Sequence, residues 1–137
     1  MSELPDTSAG EARRWLMQVD EDLLAARHIA VDPDLPPRIA CFWSHLAAEK
    51  ALKAYLIAHE VPYPKTHDLA DLRALILSDA ELVLADADLQ RLNPWTIEGR
   101  YPGDVPEATD AQAEDCLGAA ERVVRAVHLA IDDRAPQ

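Results

Sequence analysis

Apolar residues recur at three- and four-residue steps in the parts of the chain that contain no proline, which is the pattern of amphipathic helices. Because proline interrupts a helix and biases the preceding residue away from helical geometry, the proline-free segments are the candidate helices. These segments are 6–32, 38–61, 65–93 and 107–135. The sequence therefore predicts an all-α fold, an antiparallel up-and-down bundle of four to five helices, in a single domain.

The predicted N-termini of the first and last helices contain capping signals. Ser8 and Glu11 have the spacing of a capping box and predict a helix over residues 9–31. Thr109 and Gln112 have the same spacing and predict the start of the last helix.

The segment 65–93 is predicted to break near Ser78, which forms a further capping-box pair with Glu81. We therefore expect helices over 68–77 and 79–92. The connection 94–107 contains three prolines and two glycines and is predicted to be a long loop. Long loops in small domains often carry function, so this loop is a functional candidate.

The chain has 137 residues and a formal net charge of −12. This charge repels phosphate backbones, so any contact with nucleic acid is expected to be local and made by a few cations placed together. No apolar run is long enough for a membrane span, and the first residues contain no apolar signal segment. Cys41 and Cys116 are isolated along the chain, which favours a reducing, cytoplasmic location.

The second helix is apolar almost all round and is expected to lie in the middle of the bundle. One sector of it nevertheless contains Glu49 and Lys53, with His45 and Lys50 on either side. On one interpretation Glu49 and Lys53 form an ordinary surface ion pair at i,i+4 spacing. On the other, these side chains form the charged floor of a groove, where partial burial strengthens each interaction.

The sequence gives little support for a bound metal ion or cofactor. His45 and Glu49 have the i,i+4 spacing of a metal pair, but no further histidine or cysteine follows at ligand spacing. We predict no bound metal and no cofactor.

Two more segments contain candidate site residues. His67 lies near the predicted start of the third helix, where Thr66 or His67 is expected to open it, and a capping or turn role is the alternative to a functional one. Arg100 and Tyr101 lie in the proline-bounded loop. A guanidinium group binds phosphate through two hydrogen bonds and a tyrosine ring stacks on bases, so this pair is a candidate phosphate or base contact.

In this order, these segments resemble the HEPN domain family over about residues 10–132. The matching stretches are FWSHLAAEKALKAYL from Phe42 to Leu56, YPKTHDLADL from Tyr63 to Leu72, and RYP from Arg100 to Pro102. The resemblance implies a small helical bundle that usually forms a homodimer. It also implies a partner, a minimal nucleotidyltransferase, often within a toxin–antitoxin or defence pair.

Many members of this family are metal-independent ribonucleases that use an arginine followed after four to six residues by a histidine. Here Val105, Pro106 and Glu107 occupy the corresponding positions after Arg100. The nuclease signature is therefore absent at Arg100, and with it the imidazole that would serve there as general acid or base.

Three functions remain open from the sequence. The first is a nucleotide- or RNA-binding module without turnover, whose ligand-binding residues are Glu49, Lys50, Lys53, His67, Arg100 and Tyr101. The second is a ribonuclease in which Arg100 and His67 are catalytic. The third is a structural bundle that dimerises or binds a partner protein.

A homodimer is expected for a reason beyond the resemblance. Trp43, Leu52, Tyr55 and Ile57 are spread over more than one face of the second helix and need to be covered. Trp95 and Tyr101 in the long loop are further candidate interface residues.

Overall fold

The computed structural model describes residues 7–77, 82–96 and 107–134, and within these ranges it contains five helices and no strand. The helices are α1 (Ser8–Val31), α2 (Pro37–Ala58), α3 (Leu69–Ala74), α4 (Asp86–Leu92) and α5 (Asp110–Arg134). The predicted all-α helical bundle is confirmed.

Helix α1 runs antiparallel to α5, as the ion pairs between them show. As the residue number increases along α1, that of its partner on α5 decreases. The pairs are Arg13 with Asp132, Asp20 with His128, and Arg27 with Glu121. These bridges lie at the surface, so each contributes little to stability, and the apolar faces beneath them hold the helices together.

Helix α2 lies in the centre of the bundle, as its uniformly apolar sequence predicts, and packs against all four other helices. All of its alanines except Ala58 are fully buried and allow the neighbouring helices to approach closely. The chain itself covers most of the side chains for which a second copy was expected: Leu52 and Tyr55 are buried, and Trp43 and Ile57 are half-buried. The homodimer stays a prediction, but these side chains do not require it.

The helix starts differ partly from the prediction. Thr7, not Ser8, caps α1, because its hydroxyl accepts a hydrogen bond from the backbone N–H of Gly10. The predicted capping box of α5 is confirmed. The Thr109 hydroxyl accepts from the Gln112 N–H, and the Gln112 side chain accepts from the Thr109 N–H.

Helices α3 and α4 are shorter than predicted. Asp68, rather than Thr66 or His67, caps α3. Residues 82–85 are not helical although the pattern predicts helix there, and Leu82 is fully buried in that stretch. Burial of Leu82 against the core therefore outweighs the local helical preference. The predicted break at Ser78 lies outside the described residues.

Helix α4 is fixed to α5 by a buried carboxylate. Asp88 accepts two hydrogen bonds from the Arg122 guanidinium, at 2.9 and 3.0 Å. This bond raises the pKa of Arg122. No helix in the described ranges is both long and apolar enough to cross a bilayer.

The two cysteines, far apart in sequence, meet in the core between α2 and α5. Both are free and buried, and their thiols share a hydrogen bond. That hydrogen bond, followed by burial, raises the pKa of Cys116. The Cys116 thiol also lies 4.0 Å from the backbone oxygen of Arg91.

We expect neither thiol to react with an aromatic disulfide reagent in the native protein, because both are shielded from solvent. In urea both are expected to react at once, so that two equivalents are released per chain. Measurement of reagent absorbance with and without urea tests this, and rapid labelling of a thiol in native protein would contradict it.

Candidate functional site

A buried carboxylate organises the polar side chains of α2. Glu49 is only 3% exposed, and three nitrogen groups surround it. Lys53 Nζ lies 3.0 Å from Oε2, His67 Nδ1 lies 2.9 Å from Oε1, and His45 Nε2 lies 3.4 Å from Oε1. We call Glu49, Lys53, His45 and His67 the Glu49 cluster.

The environment of Glu49 keeps it ionised. Burial on its own raises the pKa of a carboxyl group, but here hydrogen bonds from His45, Lys53 and His67, together with the Lys53 charge, outweigh it. The result is a pKa of about 2, compared with an ordinary 4.5. Glu49 and Lys53 therefore form a buried ion pair, and the interpretation as a surface pair is wrong.

His45 connects three segments of the chain. Its Nδ1 lies 2.9 Å from the backbone oxygen of Leu92 at the end of α4, and its Nε2 lies 3.0 Å from the backbone oxygen of His67. A carbonyl oxygen only accepts, so both contacts are hydrogen bonds only when both ring nitrogens carry hydrogen.

His67 is the member of the cluster that reaches the surface. Its side chain is 39% exposed, whereas that of Glu49 is 4% exposed. Because Glu49 holds Nδ1, the ring is oriented with Nε2 directed away from the carboxylate. A carboxylate that orients an imidazole in this way is a common arrangement in proton-transfer sites.

A shallow depression of about 330 Å³ adjoins His67 and is also lined by Asp68, Asn93 and Thr96. The Asn93 side chain connects α4 to the start of α3. Its Nδ2 donates to the Asp68 carboxylate, and its Oδ1 accepts from the Leu69 N–H. The Asp68 carboxylate also accepts from the Ala70 N–H. These bonds, with that of Asn93 first, lower the pKa of Asp68.

Lys53 has a second contact besides Glu49. Its ammonium lies 5.7 Å from the centre of the Tyr63 ring, within range of a cation–π interaction. Burial, followed by the charges of Glu11 and Glu49, raises the pKa of Tyr63. Lys53 is therefore held between a carboxylate and an aromatic face.

The structure brings together only some of the predicted site residues. Glu49, Lys53 and His67 lie in one cluster, and His45 joins them. Lys50 faces α1 instead, where its ammonium lies 2.9 Å from the Asp22 carboxylate. Arg100 and Tyr101 lie outside the described residues.

The sequence interpretation missed Asp68, Asn93 and Thr96. Aspartate before an apolar helical run is a capping signal, so Asp68 was detectable. Asn93 had no such signal, because its partners lie 24 and 25 positions away in the chain. No group of three or more possible metal ligands occurs among the residues that the structure describes.

Comparisons with known proteins agree with this fold. The sequence matches the HEPN domain family over residues 12–130. The structure is similar to the crystal structure of ST0689, an archaeal HEPN homologue, with a TM-score of 0.66 and 23% sequence identity. The match covers 88% of this chain and 97% of ST0689. None of the curated proteins compared with the sequence matches it significantly. Because the family match spans most of the chain and the helical fold agrees with it, this protein belongs to the HEPN domain family.

Proposed function

We propose that this HEPN protein binds RNA or a nucleotide through a phosphate contact at His67. The observation that carries this proposal is the 2.9 Å bond between Glu49 Oε1 and His67 Nδ1. This bond fixes the ring of a half-exposed histidine, so that Nε2 is presented in a defined direction beside the depression. With Nδ1–H donating to the Glu49 carboxylate, Nε2 donates to a phosphate oxygen when the ring carries a second proton.

The charges of the cluster are compatible with an anionic ligand. The Lys53 ammonium lies 3.0 Å from Glu49 Oε2 and neutralises that carboxylate, so Glu49 does not repel an anion at His67. The Asp68 carboxylate opposes an anion at the depression, but Asn93 and Ala70 donate to it and offset part of its charge. The negative charge of the rest of the protein then restricts phosphate binding to this place.

Calorimetric titration with mononucleotides and short single-stranded RNA tests the proposal. We expect His67→Ala to weaken binding by about tenfold or more, because it removes a hydrogen bond to a charged group. His128→Ala is the matched control: His128 is also a half-exposed histidine paired with a carboxylate, but on the α1–α5 side, and its loss is expected to leave binding unchanged. The free energy of unfolding of each variant is measured first, since His67 also bonds Glu49. Absence of binding by the wild-type protein would refute the proposal.

A second candidate function, metal-independent RNA cleavage, is favoured by the same carboxylate–histidine pair. His67 would remove the proton from a ribose 2′-hydroxyl, whose oxygen attacks the adjacent phosphorus. The bond from phosphorus to the 5′-oxygen of the next nucleotide breaks, and that oxygen takes a proton from water. Incubation of RNA with the protein in a chelator distinguishes the two functions. Cleavage that leaves a 2′,3′-cyclic phosphate and is lost in His67→Ala supports nuclease activity. RNA binding without cleavage supports the binding function alone.

For the cellular setting, we propose the partner that the HEPN resemblance implies, a minimal nucleotidyltransferase in a toxin–antitoxin or defence pair. Family membership is the support for this proposal. Copurification of the chain from its native cells, followed by mass spectrometry of bound proteins and nucleotides, tests it.

A further inference from the structure

A groove of about 290 Å³ lies between α3 and α4, next to the depression that adjoins His67. Asn93 lines both the groove and the depression, so the two are neighbours on one surface. We call this groove the α3–α4 groove. Its other lining residues are Ala70, Arg73 and Ala74 of α3 and Asp86, Leu89 and Gln90 of α4.

Part of the α3–α4 groove is apolar. Leu89 is 5% exposed and belongs to the core, whereas Ala70 and Ala74 are exposed. An alanine side chain ends at Cβ, so the space in front of these two residues is open to a flat ligand. An apolar surface with a few polar groups at its edge is typical of sites that bind small molecules.

The two charged side chains of the groove lie close together. Arg73 Nε is 3.9 Å from Asp86 Oδ1, and Arg73 Nη1 donates to the backbone oxygen of Ile76 at 3.3 Å. Arg73 and Asp86 together carry no net charge, so the groove suits an uncharged ring better than a second phosphate. A guanidinium group is also a flat surface on which nucleobases stack.

Gln90 provides a polar group at the edge of the groove. Its side chain is exposed, and within the described residues its amide makes no hydrogen bond. The Asn93 amide, in contrast, is already bonded to the Asp68 carboxylate and the Leu69 N–H. A glutamine amide pairs with N6 and N7 of adenine through two hydrogen bonds. Gln90 is therefore available to contact the edge of a base.

We propose that the α3–α4 groove holds the nucleobase of the ligand whose phosphate contacts His67. The inference rests on the proposed phosphate contact, because Asn93 places the groove beside the depression at His67. The base lies against Ala70, Ala74 and the Arg73 guanidinium, and the ribose crosses Asn93. Adenine is the base whose edge matches the Gln90 amide.

NMR titration of the isotope-labelled full chain with AMP, and with ribose 5-phosphate as the same ligand without its base, tests the proposal. We expect the wild-type protein to bind AMP about tenfold or more tightly than ribose 5-phosphate, because a stacked base adds to the affinity. AMP, but not ribose 5-phosphate, is expected to shift the backbone signals of Ala70 and Ala74 and the side-chain signal of Gln90.

Ala74→Phe fills the groove and is expected to lower the affinity for AMP to that for ribose 5-phosphate, whose own affinity stays unchanged. Ala111→Phe is the matched control: Ala111 is an exposed helical alanine of α5, outside the lining of the groove, and its substitution leaves both affinities unchanged. Gln90→Ala is a second variant that removes the polar contact without adding bulk, and it lowers the affinity for AMP alone. Circular dichroism verifies that each variant is folded.

The outcomes separate the base site from the phosphate contact. Equal affinity of the wild-type protein for AMP and ribose 5-phosphate overturns the base site and leaves the contact at His67 in place. AMP binding that is lost in Ala74→Phe but retained in His67→Ala supports the base site and overturns the phosphate contact. Equal effects of Ala74→Phe and Ala111→Phe overturn the groove as the place of binding, and absence of binding by either ligand overturns both proposals.

Discussion

Replacing Glu49 with Gln is expected to lower the free energy of unfolding by about 3–5 kcal/mol. The substitution keeps the size of the side chain and one acceptor oxygen but removes the negative charge. Lys53, whose side chain is only 11% exposed, is then a buried cation without its counter-ion, and His45 and His67 lose their shared carboxylate. Removal of one member of a buried ion pair is far more costly than removal of a surface bridge.

Urea unfolding followed by circular dichroism measures this effect. The control is Glu121→Gln, which removes the surface bridge to Arg27 and is expected to cost at most about 1 kcal/mol. Equal losses for the two variants would show that burial of Glu49 has no energetic consequence. That outcome would also remove the basis for a cluster that orients His67.

Acid is expected to destabilise the wild-type protein through the same carboxyl group. The pKa of Glu49 is about 2 in the folded protein and near 4.5 when the group is exposed. Because the folded-state pKa is the lower one, the contribution of Glu49 is fully present above about pH 4.5 and is lost as the pH falls towards 2. A lowering of this size corresponds to a contribution of roughly 3 kcal/mol.

The difference between wild type and Glu49→Gln isolates this contribution, because the other carboxyl groups titrate in both proteins. The two free energies of unfolding are expected to differ most above pH 5 and to converge by about pH 2. Urea unfolding at a series of pH values provides the measurement. A difference that stays constant from pH 6 to pH 2 would mean that Glu49 keeps an ordinary pKa in the folded protein.

Several features of the fold were predictable from the sequence because they depend on local preferences. The periodicity of apolar residues predicted α1, α2 and α5, and the Thr109–Gln112 spacing predicted the capping box of α5. The nearly uniform apolar character of α2 predicted its central position. The segments Phe42–Leu56, Tyr63–Leu72 and Arg100–Pro102, taken together, indicated the HEPN family.

The sequence misjudged the region between α2 and α5, where long-range packing decides the structure. Residues 82–85 have a helical pattern but are not helical, because Leu82 reaches the core from an irregular segment. The start of α3 depends on Asp68, whose carboxylate is held in turn by Asn93, 25 residues later in the chain. No local pattern contains such a contact.

Some features of the candidate site likewise follow from the sequence, whereas others depend on the tertiary structure. The sequence by itself determined that Glu49 and Lys53 share one face of α2, because i,i+4 spacing on a helix fixes that. Only the tertiary structure decided that the pair is buried, that Lys50 faces Asp22 instead, and that His45 and His67 converge on the same carboxylate. The physical reason is that the burial of Glu49 and Lys53, and the approach of His67 to Glu49, depend on how the segments after residue 60 pack against α2. Periodicity specifies which residues share a helix face, whereas the packing of the other segments specifies what covers that face.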